Sequence, residues 1–323
     1  MQPWLSTRRS ARRGGLFCAL VPATLLALSA PQAAATSFAL APDQKLVGAA
    51  GVYVTREEDT LGDVARDNDL GYGQLAVVNE GVDPWLPGGG RRLTLPALYL
   101  VPEGARAGIV VNLAEQRLYY FPPDGHSVET YPIGVGVEGR STPRGVTRIL
   151  HKDVRPIWYP PASIREEKPE LPAMVPPGPD NPLGEYALRL GWPRYLIHGT
   201  NKPYGVGRNV SHGCMRLYPE DIARLFGEVK VGTPVRVIDQ EIRLAWVGED
   251  LYLAAAPSKR QMDELALNQP MSPAMPPDLV RRVVDAAGPQ ADRVDWDAVE
   301  RIGSQRPGMP IRITKPSLSA RIE

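Results

Sequence analysis

A chain of 323 residues that is 43% hydrophobic and 23% charged can bury more than one core and is too apolar to be a disordered segment. Its 37 Lys and Arg against 36 Asp and Glu leave a formal charge of +1, with no long basic run beyond the N-terminus. A phosphate track has nothing to follow, so no nucleic-acid partner is expected.

At the N-terminus, Arg8, Arg9, Arg12 and Arg13 precede an apolar stretch from Leu16 to Ala30, which ends in Ala33-Ala34-Ala35. That is the order of a secretory signal over residues 1–35, with cleavage near Ala35. The apolar run is interrupted by Pro22 and is short against the roughly 20 residues a membrane span needs. The chain has two cysteines, and Cys18 lies in this stretch. Its removal leaves Cys214 alone, which excludes an internal disulfide and makes a reactive thiol the more economical reading.

Residues 50–98 read as a small module. Val52-Tyr53-Val54 suits a strand, and Thr60 is an N-cap for a helix beginning at Leu61, with Asp63 in the capping-box position. Leu75 to Asn79 suits a second helix, and after Pro87-Gly88-Gly89-Gly90 the run Arg92 to Pro96 closes with a strand. The strand–helix–helix–strand order resembles the LysM module, which implies a peptidoglycan glycan as ligand; a spacer without ligand is the alternative.

Residues 106–239 read as a second, mainly β domain. Ile109 to Leu113 and Arg117 to Phe121 form a hairpin around Ala114-Glu115-Gln116, and Tyr131 to Gly136 and Gly145 to Leu150 continue the β pattern. Short strands between Gly and Pro turns predict a β-sandwich or open barrel with some helix. Residues 156–182 hold nine prolines, which stiffen the backbone and disfavour regular ladders. Trp158, Tyr159 and Leu171 within it suggest a packed lid over a cleft. Tyr195-Leu196-Ile197 is a strand that delivers His198, Pro219 to Phe226 a helix, and Pro234 to Ile238 a closing strand. Residues 240–323 form a C-terminal extension of unknown role, with short helices expected at Asp278 to Ala287 and Trp296 to Ser304.

The chemistry concentrates in His198-Gly199-Thr200-Asn201 and Ser211-His212-Gly213-Cys214-Met215-Arg216. A thiolate is the reactive form of cysteine, and a neighbouring imidazole can take its proton near neutral pH. Gly213 permits a strained turn that aims amides at a developing oxyanion. His198, His212 and Cys214 also have the ligand chemistry of a zinc site, but no fourth ligand is evident.

These motifs, with Thr142-Pro143-Arg144-Gly145 and Gly178-Pro179-Asp180-Asn181-Pro182, resemble the L,D-transpeptidases of the YkuD type, in their Gram-negative periplasmic branch. The resemblance implies Cys214 as nucleophile, His198 as general base and the Gly199 carbonyl as the group that orients it. His212 flanks the thiol, and the N–H groups of Gly213 and Cys214 are oxyanion donors. Arg216, Ser211, Thr200 and Asn201 would surround the substrate, Arg216 by holding a carboxylate. The implied reaction moves a peptidoglycan stem tetrapeptide, less its terminal D-alanine, onto an amine, without metal or cofactor. The acceptor is another stem, giving a 3–3 crosslink, or an outer-membrane lipoprotein. Hydrolysis by a carboxypeptidase or endopeptidase, and a non-catalytic wall-binding protein, are the alternatives.

Overall fold

The computed structural model describes Met1 and residues 36–136, 142–211 and 213–315; the expected signal at 1–35 and His212 lie outside the described residues. The central element is an open sheet of nine strands, in the order 36–39, 127–132, 117–121, 108–112, 234–238, 145–154, 186–190, 196–198 and 215–216. Neighbours run antiparallel except at two places. Pro234–Ile238 lies parallel to Gly108–Asn112, and Leu196–His198 parallel to Met215–Arg216.

The strands form where β-branched and aromatic residues cluster, and both faces of the sheet are covered. Successive side chains alternate between faces, so Ile109, Val111, Leu118 and Tyr120 join one core with Leu188, Ile197 and Met215. Val110, Tyr119, Phe121 and Val128 join another with Leu40, Val47 and Tyr99. Burial on both sides explains why Ile109 to Val111 and Leu118 to Phe121 read as continuous apolar runs instead of alternating ones. Helix Pro219–Glu228 covers the first face with Ile222 and Leu225, and Pro219 starts it where a missing N–H does no harm.

The expected strand–helix–helix–strand order is present. Gly51–Val54 pairs antiparallel with Arg92–Leu95, and helices Leu61–Asp67 and Tyr72–Val78 lie between them in sequence. Thr60 caps the first helix by accepting from the Asp63 N–H at 3.1 Å. Its hydroxyl also donates to the Asp63 carboxylate at 2.7 Å, so that carboxylate closes on the side chain of the cap. The second helix begins three residues before Leu75. The reason is tertiary: the N–H groups of Tyr72 and Gly73 donate to the carbonyls of Val206 and Gly207, at 3.3 and 3.0 Å, in the loop following His198.

The Tyr131 to Gly136 run divides. Ser127–Pro132 ends at a proline that cannot donate to a ladder, and Val135–Gly136 turns away to pair with Asn209–Ser211. The proline-rich segment is folded, with a helix at Ala162–Glu167 and Trp158 bridged to Val175 by two backbone hydrogen bonds of 3.0 and 2.8 Å. The fully buried Asn181 side chain donates to the carbonyls of Pro156, Val175 and Pro176, which staples the excursion together.

Beyond residue 240 the chain is a folded unit. Ile242–Val247, Asp250–Ala255 and Ile311–Arg312 make an antiparallel sheet. Helices Leu279–Ala287 and Trp296–Gln305, both expected, pack Leu279, Val283, Val299 and Ile302 against Leu251 and Leu253.

Candidate active site

Register decides which side chains meet. Leu196–His198 pairs in parallel with Met215–Arg216, so that His198 stands opposite Arg216 and Leu196 beside Cys214. Pleating turns alternate residues to the same side, and His198, Cys214 and Arg216 all line one cleft of about 720 Å3. The Pro-rich excursion forms a wall of it through Ile157 to Arg165 and Ala173.

The thiol is held by a turn stitched internally. The Ser211 hydroxyl accepts from the Gly213 N–H at 3.2 Å and donates to the Cys214 carbonyl at 2.6 Å. Gly213 has φ of +102°, a conformation L side chains rarely adopt, which is why a glycine precedes the thiol. The buried Thr142 hydroxyl donates to the Gly213 carbonyl at 2.8 Å, pinning the turn from a third segment. Of the two amides expected to face an oxyanion, that of Gly213 is therefore engaged within the turn.

His198 is buried, and its Nδ1 lies 2.6 Å from the Gly199 carbonyl. A carbonyl only accepts, so Nδ1 carries the hydrogen and Nε2 is left with a free lone pair. Burial, reinforced by the positive charge of Arg216, pushes the imidazole down to about 3, which keeps it neutral. Gly199 is required for space: a Cβ there would lie 2.9 Å from Ile222 Cγ2.

The half-buried Cys214 is a free thiol and donates to the Arg194 carbonyl at 3.5 Å. Burial raises its pKa, opposed by the Leu196 N–H aimed at the sulfur and by Arg216. Thiol and imidazole thus both rest uncharged, an arrangement in which proton transfer accompanies attack. Burial lowers the pKa of Arg216, and its Nε is buried without a partner among the described residues.

The remaining residues singled out in the sequence divide. Ser211 lines the cleft, although its hydroxyl serves the turn. The buried Thr200 hydroxyl accepts from the Lys202 N–H at 2.9 Å and shapes the next turn, and neither Thr200 nor Asn201 is among the cleft-lining residues. His212 lies outside the described residues. Thr142, the Leu196 amide and Arg194 were not foreseen as site groups. Their contributions depend on strand register and turn geometry, which no local motif carries.

Residues 106–237 match the family model described as the L,D-transpeptidase catalytic domain, YkuD. Over 316 residues the chain is 36% identical to "Probable L,D-transpeptidase ErfK/SrfK" of Escherichia coli strain K12, an alignment covering 95% of this chain and 98% of the relative. It is 37% identical over 295 residues to "Probable L,D-transpeptidase YbiS" of the same strain, covering 87% and 93%. Among solved structures, an L,D-transpeptidase from Mycobacterium smegmatis is similar at 25% identity and a TM-score of 0.33, covering 46% of this chain and 64% of that one.

Proposed function

The chain belongs to the L,D-transpeptidase family, and we propose that it is an exported peptidoglycan L,D-transpeptidase that works through Cys214. The observation that carries this reading is the imidazole of His198. It is neutral, held at Nδ1 by the Gly199 carbonyl, and its Nε2 lone pair belongs to a side chain that lines the same cleft as the thiol.

In the proposed reaction the Cys214 sulfur attacks the carbonyl carbon of the third stem residue as its proton passes to Nε2 of His198. The tetrahedral oxyanion would be met by the Cys214 N–H, a contribution of about 3 to 4 kcal/mol for a well-placed donor. Collapse breaks the peptide bond, and His198 returns the proton to the departing D-alanine amine. A second amine attacks the thioester, gives its proton to His198 and releases the thiol. No step calls for a metal or redox partner. The proposed location is the periplasm, supported by the order of basic, apolar and small residues within 1–35. The strand–helix–helix–strand module is proposed to hold glycan, as its likeness to LysM implies.

Intact mass of the signal-free protein, mixed with a disaccharide-tetrapeptide, tests the reading. An adduct equal to the stem less D-alanine, absent in Cys214→Ser, is expected. No adduct and no turnover would overturn it. Adding a second stem, or a peptide carrying a lysine amine, then separates crosslinking from lipoprotein attachment, and release of free tripeptide alone would identify a hydrolase.

A further inference from the structure

The described residues lining the cleft include four arginines, at 165, 189, 194 and 216, and no aspartate or glutamate. Arg189 is neutralised by Asp153 at 2.6 Å, and Arg216 is part of the site already described. Arg165 and Arg194 are exposed, and their guanidinium groups have no hydrogen-bond or ion-pair partner among the described residues. Arg165 stands in the last turn of the helix Ala162–Glu167 in the Pro-rich wall, and Arg194 in the turn between strands Tyr186–Leu190 and Leu196–His198.

Arg194 occupies a position that sequence economy would give to another residue. It follows Pro193 in a tight turn closed by the Tyr195 N–H on the Trp192 carbonyl at 3.2 Å, and its φ is +72°. That place in a Pro-initiated turn belongs to Gly or Asn, because an L side chain there is strained. The turn directs the Arg194 carbonyl to the Cys214 sulfur, a service any residue performs through its backbone. Glycine would do so without strain, so the side chain itself needs a reason. A guanidinium with no partner among the described residues, over a cleft whose described lining holds no acid, supplies one.

We propose that Arg194 and Arg165 read free carboxylates of the substrate, making this enzyme selective for acidic stem peptides over their amidated counterparts. The inference rests on the transpeptidase reading above. Two forks without partners among the described residues, lining one cleft from two separate segments, can each take a carboxylate in a bidentate bond, which an uncharged carboxamide cannot reproduce. The arginines leave the sulfur and imidazole chemistry unchanged, so they act on binding and on placement of the donor. The selectivity therefore belongs in KM rather than kcat.

The test uses two disaccharide-tetrapeptides, one with free side-chain carboxylates and one with those carboxylates amidated. Turnover is measured with the wild type, and equilibrium binding with Cys214→Ser. The variants are Arg194→Gly, which suits the turn, Arg194→Lys, Arg165→Gln and the Arg165→Gln, Arg194→Gly pair. We expect the wild type to favour the free stem about tenfold in KM, on the scale of charge-assisted hydrogen bonds. The double variant should fall below about twofold, Arg194→Lys should lie between, and binding to Cys214→Ser should follow the same order. Equal affinity of Cys214→Ser for both stems would overturn the inference and leave the transpeptidase reading intact. So would an Arg194→Gly loss of equal size on both stems. Selective binding without turnover would do the reverse, sustaining carboxylate recognition and overturning the catalytic reading.

Discussion

Replacing His198 with Gln removes the buried imidazole while keeping a donor for the Gly199 carbonyl, and so isolates the pH dependence of one group. Burial, with help from Arg216, takes this side chain down to about 3, from 6.5 in an unfolded chain. Between those values the unfolded state binds a proton and the native state does not. The contribution is therefore intact above about pH 6.5 and is lost progressively as the pH falls toward 3. At about 1.36 kcal/mol per pH unit, the wild type should lose about 2 to 3 kcal/mol from this group between pH 7.5 and 4.5. Urea unfolding of both proteins at the two pH values measures it as a difference of differences, His198→Gln lacking that part of the decline. Equal declines would refute a neutral, buried imidazole. The kinetic counterpart is an acylation rate whose acid limb lies well below pH 6.5, because the base stays unprotonated there.

Three further expectations follow from packing and charge. Gly199→Ala places a Cβ 2.9 Å from Ile222 Cγ2 and 3.3 Å from the Leu183 carbonyl, and should destabilise by about 1 to 3 kcal/mol in urea unfolding and lower kcat by moving the carbonyl that holds His198. Asp221 is buried with its Oδ2 unpartnered among the described residues, and burial raises its pKa well above the ordinary carboxylate value, so it favours the native state only in acid. Asp221→Asn should therefore be more stable than wild type at pH 8, with the gap closing toward pH 4; a gap that widens in acid would contradict the sign. Ile302→Ala should cost about 2 to 5 kcal/mol by opening a cavity in the C-terminal core, read as a lowered midpoint of thermal unfolding.

Much of this fold was legible because the relevant signals are local. Thr60 as a helix cap, Pro219 as a helix start, the apolar runs around Ile109 and Leu118, and the two C-terminal helices each depend on residues within a few positions. The thiol and imidazole were likewise announced by their glycine neighbours. What escaped depends on partners distant in sequence. The helix starts at Tyr72 because the N–H groups of Tyr72 and Gly73 find acceptors in the Val206 and Gly207 carbonyls, more than 130 positions away. Thr142 looks like a turn residue until its hydroxyl is found on the Gly213 carbonyl. The strands at Ile242–Val247 and Asp250–Ala255 join a core completed by helices that come later in the chain. Thr200, which the resemblance places beside the substrate, engages its hydroxyl with the Lys202 N–H in a turn, a partner the motif does not reveal.

The contact between the N-terminal module and the loop after His198 braces the reactive segment. Besides the two amides on Val206 and Gly207, Tyr218 donates to the Leu70 carbonyl at 3.1 Å and Arg66 pairs with Glu220 at 2.7 Å. Arg208, three residues before Ser211, stacks over the Tyr72 ring at 3.4 Å. Gly207 is the point of closest approach, at φ of +75°, where a Cβ would lie 2.3 Å from Tyr72 N and 2.5 Å from Gly71 Cα. Those are backbone atoms that cannot swing aside, so Gly207→Ala must separate the module from the loop. Gly81→Ala is the matched control: its φ is +81° and nothing lies within 4 Å, so it carries the strain without the collision. Strain alone costs about 1 to 3 kcal/mol. Gly207→Ala should exceed Gly81→Ala by a further 2 kcal/mol or so, on the scale of overpacked contacts. It should also speed hydrogen exchange at the Tyr72 and Gly73 amides and lower the rate of Cys214 acylation, which Gly81→Ala leaves alone. Equal effects of the two variants on stability and acylation would mean that the module is merely tethered to the catalytic body and does not brace it.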